Sequence, residues 1–392
     1  MGRRQGPYNS GVSRRDLPFA ALIVITAIVY VTIPAPPVHS ASAFWSESLV
    51  ARANTLIFAS SHFGQVLDHL TLQIARALFG PSFAVVRAMS LVTDGMGLVY
   101  LGALAVFAST LERDRRIPLF ILGAVSPVNV FLHGDAALGA FAAPFALLAV
   151  ALYRSWDDRI RSERAAIPAI VAGLGAALHG AGLIFLPGVL ALQIAADRAR
   201  SWGAVARSAI AAGAAFFGPN GALLVFYVLA FKNVTIIPGD ANGGTAGGQI
   251  QEFIFPFQSI PAQGAFRAYA FFSWLHLVDV VTALAMGVPA LAAVLAFALL
   301  RRRDVGFAIR QHAPEWILGA MGVVLVIILY PGVGIIADQY FLVPELAVLQ
   351  VLSLGLVLEL GRAPWRGVFW PLLAITLGAT IVDWQLYWQG AL

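Results

Sequence analysis

The sequence predicts an all-α polytopic membrane protein with about eleven transmembrane helices in a single domain over residues 1–392. Of its 392 residues, 59% are hydrophobic, and the mean hydropathy is +0.82. A soluble domain of this length cannot hide so much apolar surface. Apolar runs long enough to cross ~30 Å of hydrocarbon recur along the chain. Basic residues gather in every second connecting segment, which is the pattern that membrane topology produces.

The first predicted crossing, residues 17–35, follows the arginine-rich segment GRRQGPYNSGVSRR. A cleaved signal peptide has the same order of charged and apolar residues. Here the apolar stretch from Leu17 to Pro34 is long for a signal peptide, and PAPPVHS is a poor cleavage site. The sequence therefore predicts a retained first helix.

Further crossings are predicted at residues 83–109, 117–132, 136–153, 166–179, 181–196, 206–231, 279–300, 316–336, 340–360 and 367–387. The runs at 166–179 and 181–196 are short and meet at HGAG, so one kinked element is an alternative. Of the 25 Lys and Arg residues, 20 fall in the segments that this layout places inside: 1–16, 112–116, 154–164, 197–207, 301–310 and 361–366. Because cytoplasmic loops carry an excess of basic residues, the N-terminus is predicted inside and the C-terminus outside.

Two long segments are predicted on the outer face, residues 36–82 and 232–278. The first contains two amphipathic stripes, each expected to form a helix in the membrane interface. The stripes are Trp45, Leu49, Val50, Ala53, Leu56 and Ile57, and then Val66, Leu67, Leu70, Ile74 and Leu78. The second segment holds the glycine-rich run DANGGTAGGQ and the irregular stretch EFIFPFQSIPAQGAF. No large soluble domain is predicted.

Composition excludes several classes of chemistry. The chain has no cysteine, which rules out disulfides, thiolate catalysis and cysteine-bound metal clusters. It has no Gly-rich phosphate loop and no HExxH motif. The net charge of +5 is explained by basic inner loops, so nucleic acid is not an expected partner. Acidic residues and histidines concentrate on the predicted outer side, so an active site is expected to face outward.

Each candidate residue on the outer side also has a structural interpretation. Glu47, in AFWSESLV, can simply cap an interfacial helix. His276 and Asp279 are three residues apart on one helical face, and they form either metal ligands or a hydrogen-bonded pair. His133 and Asp135 in LHGDA are either ligands or the polar tip of a helical hairpin.

Other polar residues near the predicted helices have mainly structural explanations. Asp94, in VTDGMG, is predicted to hydrogen-bond another helix, and His179, in ALHGAG, to make a polar contact at a helix end. Lys232 and Arg267 are in positions to anchor helix ends. None of these residues forms a specific motif alone.

The order of the motifs is more specific than any one of them. FWSESL places an acid on an outer amphipathic helix, and HFGQVLDHLTLQIARALFG, which begins at His62, forms a second. Arg87 follows in PSFAVVRAMS, and SPVNVFLHGDA places Asp135 nine positions after Ser126. VAGLGAALHGAGLIFLP and DQYFLVPEL, with Tyr340, come later. This series resembles the C-type integral-membrane glycosyltransferases, in particular the bacterial branch that takes sugars from polyprenyl-phosphate carriers.

Three departures from the family pattern concern basic residues. His179 stands where the family has lysine, and Gln339 stands where it has the arginine before Tyr340. The basic residues that flank the Asp135 position are absent. In the family these groups are expected to bind the carrier phosphate, so here the role passes to other basic groups or to a divalent cation. The basic groups are Arg87, Lys232, Arg267 and Arg52.

The resemblance implies an inverting sugar transferase on the outer face of a bacterial inner membrane. Glu47 would act as the general base that takes the proton from the acceptor hydroxyl, while Asp135 would orient the acceptor or help to bind a cation. The expected partners are a lipid-linked sugar donor, a lipid, glycan or protein acceptor, and membrane lipids. The residues expected to line the substrate site are His62, Arg87, His133, His179, Lys232, Arg267, His276, Asp279 and Tyr340.

Two other functions are compatible with the sequence. A transporter could use the intramembrane acids for ion coupling, although no paired inverted repeats are visible. A non-catalytic subunit of a membrane complex could retain the transferase fold, and the missing basic residues favour that interpretation. Only a transferase would consume a polyprenyl-phosphate sugar.

Overall fold

The computed structural model describes residues 16–33, 63–133, 141–156, 166–178, 180–197, 201–231, 277–300, 306–307, 310, 313–319, 348–355 and 365–388. Within these ranges the secondary structure is helical, and no β-strand occurs. The all-α prediction is therefore confirmed for this part of the chain. The first amphipathic stripe and nearly all of the segment 232–278 lie outside the described residues.

The helices are numbered in chain order: α1 Leu17–Thr32, α2 Phe63–Phe79, α3 Val85–Ser109, α4 Arg113–Ala124, α5 Val128–Phe131, α6 Ala142–Ser155, α7 Ala166–Leu178, α8 Leu186–Asp197, α9 Trp202–Phe231, α10 Leu277–Leu300 and α11 Trp365–Trp388. A 3-10 helix, Gly180–Phe185, lies between α7 and α8. Residues 313–319 and 348–355 are also helical. The predicted apolar runs thus form helices wherever the structure describes them.

The predicted crossing at 117–132 is not one continuous helix, because the chain breaks between α4 and α5. Pro127 has no N–H to donate, and its ring disfavours helical geometry at Ser126. The helix consequently ends at Ala124 and resumes at Val128. The charged segment 112–116 is not entirely a loop either, because α4 already begins at Arg113 with an acidic residue in its first turn.

Two further boundaries differ from the prediction. Residues 202–207 were assigned to an inner loop but belong to α9, where the N–H groups of Ala204 and Val205 both bond the carbonyl oxygen of Ser201. The run at 181–196 begins as a 3-10 helix because the chain folds tightly back on α7. A Cβ at Gly182 would lie 2.5 Å from the backbone nitrogen of Ala176, so only glycine fits this approach.

Polar contacts mark one end of the helix bundle, called here the basic end. Asp16, immediately before α1, forms an ion pair with Arg113 at the start of α4, with 2.9 Å between nitrogen and oxygen. Arg154, near the end of α6, lies 5.3 Å above the ring of buried Phe107 in α3. Asp16, Arg113 and Arg154 therefore lie at the end of the bundle where α1 and α4 begin and where α3 and α6 end.

The bundle core is built from small and aromatic side chains. Buried alanines line α6 and α7, and Phe107, Phe120 and Phe216 fill the spaces between the helices. Small residues let helix backbones approach closely, which is how helices pack when apolar surroundings provide no hydrophobic driving force. The closest such approach joins α7 to α9 at Gly173.

Large apolar side chains are also exposed along the outside of the bundle. On α10, Leu291, Leu295 and Leu299 form one such line at four-residue spacing, and they are 53–74% exposed. Val24 and Ile28 on α1 are similarly exposed. Among the described residues, two helical segments are long and apolar enough to cross a membrane, Arg87–Ser109 and Arg366–Gln385, and the other apolar helices are shorter.

The second predicted amphipathic helix is present as α2, and its two faces are unequally buried. Leu70, Ile74 and Leu78 of the apolar stripe are 47%, 60% and 71% exposed. Asp68 and Leu72, on another face, are buried against the bundle. The stripe thus points away from the protein interior, as expected for a helix whose apolar side contacts lipid.

Candidate functional site

One face of α3 carries three features of the candidate site. Arg87, Asp94 and Gly97 follow one another at spacings of seven and three residues, so they share a helical face. Arg87 and Asp94 are about 10 Å apart along the helix axis. Arg87 is exposed, whereas Asp94 is partly buried. Gly97 lies directly against the Tyr30 side chain of α1, where any Cβ would overlap the phenol ring.

The centre of the site is a contact between Asp94 and His133. The Nδ1 atom of His133 lies 2.8 Å from an Oδ atom of Asp94, and the imidazole is 1% exposed. Asp94, which is predicted to hydrogen-bond another helix, thus lies beside a residue that follows α5 closely in the chain. The two polar side chains therefore lie together inside a largely apolar bundle.

Two aromatic side chains enclose the imidazole of His133. The ring of Tyr30 is 5.2 Å away and that of Trp384, from α11, is 5.4 Å away, measured between centroids. Tyr30 also donates a hydrogen bond to the carbonyl oxygen of Leu132. Contacts from α1, α3 and α11 therefore hold Leu132 and His133 in position.

The break between α4 and α5 brings backbone carbonyls into the bundle, and side chains bond them. The hydroxyl of Tyr100 donates to Gly123 over 3.2 Å, and the Asn129 amide donates to Ala124 over 2.6 Å. Thr380 of α11 donates to the carbonyl oxygen of Val125. Non-helical backbone in an apolar bundle requires such internal partners.

A polar contact joins the break to residues 348–355. The Ser126 hydroxyl donates to the side-chain oxygen of Gln350 over 3.0 Å, and both side chains are fully buried. Buried hydroxyl and amide groups need such bonds because desolvation without a partner is costly. The SP motif therefore marks a polar junction inside the bundle.

Asp383 was not identified from the sequence. It lies in α11 with its side chain fully buried, next to the tryptophan that contacts His133. Its signal is a single acid near the end of the apolar run, in TIVDWQLYW. An acid at such a position is costly in an apolar environment, which makes Asp383 a candidate functional residue.

The structure gives positions for only some predicted site residues. Arg87 and His133 are described, and Asp94 links them, because it shares a helix face with Arg87 and contacts His133. Asp279 lies in the first turn of α10. No group of three or more His, Asp or Glu side chains that could hold a metal ion occurs in the described part of the chain. The predicted site residues outside that part are Glu47, His62, Asp135, His179, Lys232, Arg267, His276 and Tyr340.

Comparisons of the chain with protein-family models, curated proteins and solved structures found no match. The class that the described residues define is a helical bundle with a buried Asp–His contact near the broken helix. The resemblance to C-type glycosyltransferases remains a prediction from the motifs.

Proposed function

We propose that this chain is a polytopic membrane protein whose functional site opens on the outer face. The proposal is supported by the exposed apolar lines on α1, α2 and α10, which would be unfavourable in water and suit a lipid environment. It is also supported by the clustering of Asp16, Arg113 and Arg154 near one end of the bundle. The Asp94–His133 contact belongs to the opposite end, since α3 runs from Asp94 towards the basic end and α4 runs from the basic end back towards His133.

Within this topology, we propose that the protein transfers a sugar from a polyprenyl-phosphate carrier to an acceptor. The observation that carries this proposal is the shared face of α3, which presents exposed Arg87 two helical turns beyond the buried Asp94–His133 contact. A guanidinium at the rim of a polar site suits a lipid phosphate, because it can donate two hydrogen bonds to phosphate oxygens. The carrier's chain would meet exposed apolar side chains on α2 and α3.

The chemical step in this proposal uses two acids outside the described residues. The Glu47 carboxylate would remove the proton from the acceptor hydroxyl as its oxygen attacks the anomeric carbon. The bond from that carbon to the carrier phosphate would break on the opposite side, which inverts the configuration. Asp135 follows His133 by two positions, so the contacts of His133 bear directly on the segment that carries this second acid. The developing phosphate charge would be stabilised by Arg87 or by a divalent cation.

A donor-consumption assay tests the proposed activity. Detergent-purified protein is mixed with polyprenyl-phosphate sugars that carry a labelled sugar, and the release of free polyprenyl phosphate is measured. Release by the wild type, and its loss in Glu47→Gln, would support the transferase. If the wild type leaves every pentosyl and hexosyl donor intact while binding them, a non-catalytic subunit becomes the better interpretation.

A transporter remains the second candidate because of the buried Asp94–His133 contact. Acids and histidines inside membrane bundles commonly carry protons or ions. Reconstituted vesicles distinguish the two functions. A transporter would move a solute against an imposed ion gradient without consuming a sugar donor, and Asp94→Asn would uncouple that movement. A transferase would show donor consumption in the absence of any gradient.

A further inference from the structure

Asp383 is part of a polar face on α11. Thr376, Thr380 and Asp383 follow at spacings of four and three residues, so they lie on one side of the helix. Thr376 and Asp383 are buried, with exposures of 1% and 0%. Thr380 donates to the carbonyl oxygen of Val125, so this side of α11 faces the break between α4 and α5.

Two contacts set the register of α11 along the broken helix. Thr380 meets Val125, and four residues further along α11 Trp384 meets His133. Residue numbers rise together in both chains, so α11 runs parallel to the segment 125–133. Asp383 and Asn129 both fall between the two contacts, and α11 packs directly against α5, which carries Asn129. The register therefore brings these two side chains to the same level of the bundle.

The oxygens at this level lack protein donors. The Asn129 amide nitrogen donates to the carbonyl oxygens of Ala124 and Gly123, and this fixes the amide orientation and identifies Oδ1. In the described part of the chain, Oδ1 of Asn129 and both carboxyl oxygens of Asp383 are buried without a hydrogen-bond partner. No ion pair joins Asp383 to a basic side chain there. A carboxyl group in such a position either keeps its proton or, when ionised, requires a compensating charge.

We propose that Asp383, Asn129 and Thr380 bind a monovalent alkali cation between α11 and the broken helix. All three ligand atoms are oxygens, which hard cations prefer. The single hydrogen of the Thr380 hydroxyl is engaged by the carbonyl oxygens of Val125 and Thr376, so only the lone pairs of its oxygen remain for a ligand. One carboxylate and two neutral oxygens carry one negative charge. A monovalent ion neutralises that charge, whereas a divalent ion would leave a net positive charge in an apolar bundle. Interrupted membrane helices bind Na⁺ through comparable oxygen groups. The inference is independent of the proposed transferase activity.

Cation-dependent thermal stability tests this site. The full chain in detergent is heated in LiCl, NaCl or KCl, with choline chloride replacing each salt so that ionic strength stays constant. An alkali cation that binds the folded state should raise the unfolding midpoint in a saturable way, by about 3 °C or more at high occupancy. Asp383→Asn should abolish the rise. Thr380→Val, which keeps the side-chain shape, should raise the half-saturating concentration at least about tenfold.

The matched control is Asp114→Asn, which removes an exposed acid at the basic end and should leave the cation response unchanged. A wild type that responds to no alkali cation overturns the proposal, and Asp383 then carries a proton or pairs with a residue outside the described part. A full response in Asp383→Asn also overturns it. If Asp383→Asn does not fold, the Thr380→Val titration decides, because an unchanged half-saturating concentration would refute the site.

Discussion

Replacing Gly173 with alanine should separate two core helices. Gly173 lies in α7, where a Cβ would overlap the carbonyl oxygen of Phe216 in α9 and lie 2.8 Å from its carbonyl carbon. The obstructing atoms belong to the backbone, so no side-chain rotation can make room. Carbon atoms in van der Waals contact are ~3.5–4.0 Å apart, so the helices must move by roughly 1 Å.

The expected cost follows from this displacement. Ala169, Ala172 and Ala176 of α7 are buried, and their packing would be disturbed as the helix moves outward. Overpacking of this kind typically costs ~1–3 kcal/mol. Alanine also favours the helix over glycine by ~0.5–1 kcal/mol, which offsets part of the loss. The propensity gain is common to any glycine-to-alanine change in a helix, so relative to such a change without the clash Gly173→Ala should be less stable by about 1–3 kcal/mol.

The control for this prediction is Gly213→Ala. Gly213 lies in α9, the partner helix, and a Cβ there would meet no atom within 4 Å. Thermal unfolding of the detergent-purified variants can be followed by the fluorescence of the nine tryptophans. Gly213→Ala should match or exceed the wild-type midpoint, and Gly173→Ala should fall several degrees below it. Equal midpoints for the two variants would show that α7 and α9 are not in backbone contact.

Four other predictions address topology and the site. A cysteine at Gly244 should react with an impermeant thiol reagent added outside, and one at Arg302 should not; the reverse labelling would overturn the orientation. Glu47→Gln should lower turnover at least about a hundredfold while donor binding persists, whereas a helix-cap role would leave turnover nearly unchanged. Arg87→Ala should weaken donor binding, with Arg87→Lys restoring only part, since lysine cannot bind phosphate through a planar fork; equal binding by all three would exclude the phosphate role. Asp94→Asn and His133→Gln should show a coupling energy above ~0.5 kcal/mol in a double-mutant cycle of stability, and additive effects would mean that their contact contributes nothing.

The helix positions were largely predictable because a long apolar run carries its own signal. Residues 83–109 and 367–387 were predicted as helices, and α3 and α11 begin and end within two residues of those limits. The break before α5 was not predicted because the apolar run continues on both sides of Pro127. The early start of α9 was not predicted because the basic residues there indicate a loop. A helix can nevertheless extend beyond an apolar run.

The site was less predictable because it depends on tertiary contacts. Asp94 and His133 were both candidate residues, but the local sequence does not indicate which residues of separate segments come into contact. Asp383 was overlooked because one acid does not interrupt a strongly apolar run. The burial of Asp68 on α2 was also not predicted, because the apolar stripe of that helix lies on another face.

The contacts of α1 have a consequence for biogenesis. Its two ends are fixed by Arg113 and Leu132, which follow their partners by 97 and 102 residues. At a synthesis rate of ~5–20 residues per second, α1 leaves the ribosome roughly 5–20 s before either anchor is made. α1 therefore completes its packing only after α4 and α5 have been synthesised. During that delay Asp16 lacks the arginine that pairs with it in the folded protein, and the hydrogen bond from Tyr30 to the carbonyl oxygen of Leu132 cannot form.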